Sequence, residues 1–129
     1  MQVNKQTILI ILAMILFVVV PVGIFAVVST KSAVKLGQYD GLAVCLTEKG
    51  TKMYGAYWCA HCANQKKMFG DSFSKVKYIE CSLPGGQGQV KECQDAAING
   101  YPTWEFGDGS RLEGEVPLET LAAKSGCSL

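Results

Sequence analysis

Two cysteines, Cys59 and Cys62, enclose the chain's single histidine, His61, and follow Trp58 in the stretch YGAYWCAHCANQKKMFG, residues 54 to 70. A dithiol that cycles through a disulfide needs one cysteine with a lowered pKa to attack as the thiolate. It also needs a second close enough to resolve the mixed disulfide. C-x-x-C at the start of a helix meets both needs. The helix N-terminus offers unpaired backbone N–H groups and about half a positive charge, which favours the anionic form of Cys59. Cys62, one turn further in, is placed to close the ring. His61, if protonated or donating, adds to the stabilisation of the Cys59 thiolate, and Trp58 covers the pair from the strand side.

Two other chemistries compete for the same residues. Cys59, His61 and Cys62 could supply three ligands to zinc or copper, but adjacent side chains rarely both point inward. The chain also has no second C-x-x-C and no distant histidine. An inert local disulfide is the other rival. The residue types and spacing favour the redox couple, with no metal and no cofactor.

The elements that must position this pair follow from the pattern around it. TKMYGAYW, residues 51 to 58, has strand-like content, and CAHCANQKKMF, 59 to 69, has helix formers that bring Cys62, Gln65 and Phe69 together on one side. Before them, DGLAVCLTEKG, 40 to 50, reads as a helix with Asp40 as N-cap and Gly50 at its end. After them, KVKYIEC, 75 to 81, alternates as a strand with Val76, Tyr78 and Glu80 on one face. SLPGGQGQ is a loop whose glycines do not fit G-x-G-x-x-G, which argues against a nucleotide cradle. VKECQDAAING, 90 to 100, is a helix. YPTWEF and RLEGEV flank a GDGS turn as a hairpin, and PLETLAAKSG, 117 to 126, closes as a helix. A strand, a crossover helix, a parallel partner strand and a terminal hairpin make an α/β fold, a four-stranded mixed sheet with helices on both faces. Pro102 at a strand start cannot donate to a ladder and is permitted there as a bend or a cis bond.

Residues 7–28, TILIILAMILFVVVPVGIFAVV, carry no charge. At about 1.5 Å of rise per residue they are long enough for a bilayer core of roughly 30 Å. A cleaved signal peptide has an apolar core of only about 7–15 residues, so the length predicts a retained transmembrane helix, kinked at Pro21. The organisation expected is a short tail over 1–6, the span over 7–28, a polar linker over 29–38 and one domain over 39–129. Flanking lysines stand at both ends of the span, so charge does not orient it. The cysteines do: all six of the chain fall in the last 90 or so residues, a density expected in periplasm, lumen or extracellular space. Three of the 12 basic residues precede the first acid, which leaves nine against 11 acidic ones from residue 36 onward and excludes an electrostatic case for nucleic acid. The late acids Glu105, Asp108, Glu113, Glu115 and Glu119, around Arg111, read as a solvated face.

WCAHC entering a helix, followed about 40 residues later by GYPTW, resembles the thioredoxin superfamily. More narrowly, CLTEKGTKMYGAYWCAHCANQKKMFG, YIEC and AINGYPTWEF are similar to the thioredoxin-like domain fused to, or partnered with, bacterial and plant vitamin K epoxide reductase homologues, over residues 42 to 126. The resemblance implies a thioredoxin-like fold, Cys59 as nucleophile, Cys62 as resolving thiol and Pro102 as a cis-proline. It also implies that Trp58, Tyr101, Pro102 and Thr103 meet the substrate peptide, and that electrons pass from folding proteins to a quinone-reducing membrane protein. Two departures stand out. Many thioredoxins carry a buried acid six residues before the first active cysteine, where this chain has Met53, so the proton acceptor for Cys62 is unassigned. The fused relatives carry a multi-helix reductase, whereas one span is read here, so the reductase is expected to act in trans.

With Cys59 and Cys62 set aside, Cys45, Cys81, Cys93 and Cys127 can pair in three ways. Cys81 ends a strand and Cys93 lies on the next helix, after a glycine-rich loop able to fold back, which favours Cys81–Cys93. Closing such a loop stabilises by roughly 3 kcal/mol in the chain-entropy model. Cys45 and Cys127 remain as a second pair, either structural or a relay accepting electrons from the dithiol. The function expected is a membrane-anchored thiol–disulfide oxidoreductase, an oxidase that passes a Cys59–Cys62 disulfide to cysteine-containing exported proteins. The alternatives are a reductase with the same residues, a Cys/His metal-binding module and a tethered interaction domain without turnover.

Overall fold

The computed structural model describes residues 4–14 and 37–129, in two compact units. In the first, residues 5–14 are helical and Ile8, Leu9, Ile10, Ile11, Leu12 and Met14 are exposed. Among the described residues no helix is long and apolar enough to cross a membrane. Residues 15–28 of the expected span and 29–36 of the expected linker lie outside the described residues.

The second unit runs α1 (Asp40–Glu48), β1 (Lys52–Gly55), α2 (Ala60–Phe69), a 3-10 turn (Gly70–Lys75), β2 (Tyr78–Glu80), a 3-10 turn (Pro84–Gly86), α3 (Lys91–Asp95), β3 (Thr103–Glu105), β4 (Arg111–Glu113) and α4 (Leu118–Ser125). The strands form one mixed sheet in the order β2-β1-β3-β4. β1 is parallel to β2, with Met53 opposite Tyr78 and Gly55 opposite Glu80, and β1 is antiparallel to β3. β3 and β4 make the antiparallel hairpin. This is the α/β layering that the order of elements implies.

Successive strand residues face opposite sides, and the core divides accordingly. Met53 and Trp104 pack with Leu42 and Leu46 of α1, Cys62 and Phe69 of α2, and Leu118 and Leu121 of α4. Tyr54 belongs to a smaller cluster with Cys81, Cys93 and Ile98. The central strand β1 is buried beyond its first residue, so it reads as a continuous apolar run.

Several elements are shorter than the sequence suggests, each for a local reason. The strand expected over 51–58 ends at Gly55, and the chain then turns, with Cys59 N–H donating to the Ala56 carbonyl at 3.0 Å. The strand expected over 75–81 keeps only Tyr78–Glu80, because the 3-10 turn runs to Lys75. The helix expected over 90–100 stops at Asp95, where Ala97 takes a left-handed φ of 51°. The Ile98 N–H then closes the helix on the Cys93 carbonyl at 3.0 Å, a capping arrangement usually built on glycine. Asp40 does not cap α1 but is its first residue; its carboxylate accepts the Gly37 N–H at 2.9 Å.

Candidate active site

Cys59 stands at the N-cap of α2 with extended backbone angles, and its sulfur accepts the Cys62 N–H at 3.2 Å. That N–H is one of the first-turn donors with no partner inside the helix, so the sulfur occupies the position an N-cap oxygen usually fills. Cys59 retains 8% exposure against 1% for Cys62, and both are free thiols. Burial first, and then the contact with Cys59, push the Cys62 thiol up to about 12. Both cysteines are buried, Cys59 the less completely, and Cys62, one turn deeper, is held toward its protonated form.

The segment facing the dithiol is the start of β3. The Tyr101–Pro102 peptide bond is cis, and the Cys59 thiol lies 3.6 Å from the Tyr101 carbonyl that can accept from it. The Tyr101 ring packs edge-on against Trp58 at 5.9 Å between centroids, and its hydroxyl meets Gln89 Nε2 at 2.5 Å. Trp58 is exposed, and its indole N–H donates to Ser82 Oγ at 2.8 Å. Trp58 thus stands next to Cys59 in the chain and packs against Tyr101. Thr103 is buried, and its hydroxyl donates to the Gly100 carbonyl at 2.8 Å, so its side chain braces the loop.

His61 is exposed and is engaged by Glu115. Its Nδ1 is 2.7 Å from Glu115 Oε1, which also accepts from Asn64 Nδ2 at 3.1 Å. Those two bonds hold the Glu115 carboxyl below the usual carboxylate range. Glu115 is therefore not simply part of a solvated face. Nor is Glu105: burial alone would raise its carboxyl, but bonds from Lys52 and Arg111 hold it low. Next to Glu115, the Val116 main chain is gripped by the fully buried amide of Gln65, whose Nε2 donates to the Val116 carbonyl at 2.9 Å and whose Oε1 accepts its N–H at 2.6 Å. Residues 115–116 thus clamp α2 along one side. Among the described residues no group of three or more His, Cys, Asp or Glu side chains is arranged to hold a metal ion.

The remaining cysteines form two disulfides. Cys81 and Cys93 are joined, both fully buried, across a separation of 12 residues. Cys45 of α1 is joined to Cys127, half-buried, across 82 residues.

Gln65, Glu115, Tyr78 and Glu80 are site neighbours to which the sequence reading assigns no role. Gln65 had a signal, a polar residue at helical spacing between Cys62 and Phe69. Tyr78 and Glu80 had one as well, their shared strand face. The partner of each depends on sheet register, which no local pattern shows.

A buried strand runs into a dithiol at a helix start and is opposed by a cis-proline loop, on an α/β mixed four-stranded sheet. No protein-family profile matches the chain. Over 92 residues it is 48% identical to the thiol-disulfide oxidoreductase LTO1 of Arabidopsis thaliana, a stretch that makes up 68% of this chain and 24% of that protein. The chain thus spans about a quarter of the length of that relative.

Proposed function

We propose that residues 39–129 act as a thiol–disulfide oxidoreductase in which Cys59 exchanges with substrate cysteines and Cys62 resolves. The observation that carries this reading is the Cys59 sulfur at the α2 N-cap, 3.2 Å from the Cys62 N–H and 3.6 Å from the Tyr101 carbonyl of a cis-proline loop. The identity to a protein named for this activity supports it. In the oxidising direction a substrate thiolate attacks Cys59 of the Cys59–Cys62 disulfide, and Cys62 leaves and takes a proton. A second substrate thiol then displaces Cys59, so two electrons and two protons end on the pair.

The oxidase direction rests on the compartment. Two further disulfides in so small a domain suit an oxidising space, periplasmic or lumenal, where a protein disulfide donor is useful. Anchoring by residues 7–28 accounts for the exposed apolar side chains over 8–14. The family resemblance supports a vitamin K epoxide reductase type membrane protein, acting in trans, as the acceptor of electrons. A reductase is the second reading, and the His61–Glu115 contact favours it, because the ring nitrogen is engaged by a carboxylate and not by the Cys59 sulfur it is expected to support.

The test is to express the full chain as Cys62→Ser and recover covalent partners. The oxidoreductase reading expects mixed disulfides through Cys59 that dithiothreitol releases; their absence would count against it. A measured reduction potential near about −270 mV, that of thioredoxin, would favour the reductase, and a value well above it the oxidase.

A further inference from the structure

If Cys59 and Cys62 cycle, Cys62 must lose a proton each time it resolves a mixed disulfide. Burial holds the Cys62 thiol up, so resolution calls for a base at hand. Met53, at the strand position six residues before Cys59, supplies none. The sheet brings another residue to the same place: Tyr78 on β2 lies directly opposite Met53.

The absence of a side chain at Gly55 makes the approach possible. A Cβ there would stand 2.8 Å from Tyr78 Cε2, 2.9 Å from the Tyr78 hydroxyl oxygen and 3.1 Å from Cys62 Sγ. The hydroxyl and the sulfur therefore border the same small space beside the bare Cα. The hydroxyl in turn donates to Glu80 Oε2 at 2.8 Å. Glu80, opposite Gly55 in the register, is fixed through its other oxygen, which accepts the N–H groups of Tyr57 at 3.2 Å and Ser82 at 2.9 Å. Lys66 of α2 lies over the Tyr78 ring at 3.7 Å from its centroid. The charged and titratable groups around the hydroxyl are thus Glu80, Cys62, Cys59 and Lys66.

We propose that Tyr78 and Glu80 form the proton relay of Cys62, which takes the place of an acid on the central strand. This rests on the redox reading above. During resolution the Cys62 proton passes to the Tyr78 oxygen while the Tyr78 hydroxyl proton passes to Glu80 Oε2. The Cys62 sulfur forms its bond to Cys59, the bond from Cys59 to the partner sulfur breaks, and the partner leaves as thiolate. In the reverse direction Glu80 returns the proton to Cys62 as it becomes the leaving group.

The test is stopped-flow reaction of the reduced full chain with an aryl disulfide whose released thiolate absorbs, in wild type, Tyr78→Phe and Glu80→Gln. The first release reports attack by Cys59 and the second reports Cys62. The relay predicts an unchanged first phase in both variants and a second phase slowed at least about tenfold at pH 7. It also predicts that the variants' second phase rises about tenfold per pH unit through the neutral range, where wild type varies far less. A second phase equal to wild type in either variant overturns the relay. A wild-type protein that gives no second phase instead overturns the redox reading itself. Slowing of both phases together, with a lowered unfolding midpoint, points to lost packing and also counts against the relay.

Discussion

Cys81–Cys93 and Cys59–Cys62 lie one strand apart, and they differ in almost every property that governs sulfur chemistry. Cys81 is held on both sides, its N–H donating to the Gly55 carbonyl and its carbonyl accepting from Val90, each at 2.8 Å, and its sulfur is sealed inside with Cys93. Cys59 stands where a strand has ended and a helix begins. There a first-turn N–H faces its sulfur and the Tyr101 carbonyl of the opposing loop stands 3.6 Å away. The same residue type thus becomes a strut in one place and a candidate reagent in the other, according to whether its neighbours enclose it or present it. The half-buried Cys45–Cys127 bridge stands between the two: it is partly accessible, but among the described residues neither of its cysteines caps a helix N-terminus as Cys59 does.

The largest break in this contrast is expected at the dithiol. Cys59→Ser should abolish thiol–disulfide turnover with a model substrate, whereas changing Cys81 and Cys93 together to Ala should leave turnover intact at temperatures where the domain stays folded. The struts act instead on stability. In the chain-entropy model, removing Cys45–Cys127 costs about 4.5 kcal/mol and removing Cys81–Cys93 about 3 kcal/mol, which denaturant titration of the double variants would measure. If the Cys45 and Cys127 variant instead loses electron transfer with its stability unchanged, the bridge is a relay and the contrast fails there.

Gln65→Leu should cost about 1–3 kcal/mol for each Val116 group left buried without a partner, and should loosen α2 against residues 115–116. Urea unfolding measures the first effect, and hydrogen exchange across α2 the second. The smallest effect belongs to the surface pair. Bonds from His61 and Asn64 lower the Glu115 carboxyl, so their contribution to stability is present above the ordinary carboxylate value near about 4.3 and is lost as pH falls through the lower, folded value. The stability difference between wild type and Glu115→Gln should therefore shrink to nothing as the solution is acidified.

How much of this was legible in the sequence follows from the range of each interaction. The strand, helix and hairpin order was legible, because apolar alternation, glycine turns and helix-forming runs are local. The start of a helix at Cys59 was legible for the same reason. The end of α3 was not, since Ala97 takes the left-handed position that glycine signals usually mark, while the nearest glycine stands three residues on at Gly100. His61 was read by its closeness in sequence to the cysteines. Its direction is set by Glu115, 54 residues away, and no spacing rule reaches that far. Tyr78 and Glu80 were placed on one strand face, but their nearness to Cys62 follows from the parallel register with β1 and from the missing side chain of Gly55.

The central claim is that one cysteine pair reacts while the other two endure. Equilibrating the full chain in glutathione buffers of graded potential, then quenching with an alkylating reagent and mapping the peptides, tests it directly. The account predicts one two-electron transition confined to Cys59 and Cys62, with the peptides of Cys45, Cys127, Cys81 and Cys93 still linked at potentials where that pair is fully reduced. Thiols that open first at either of the other bridges, or a Cys59–Cys62 pair that never closes, would contradict it.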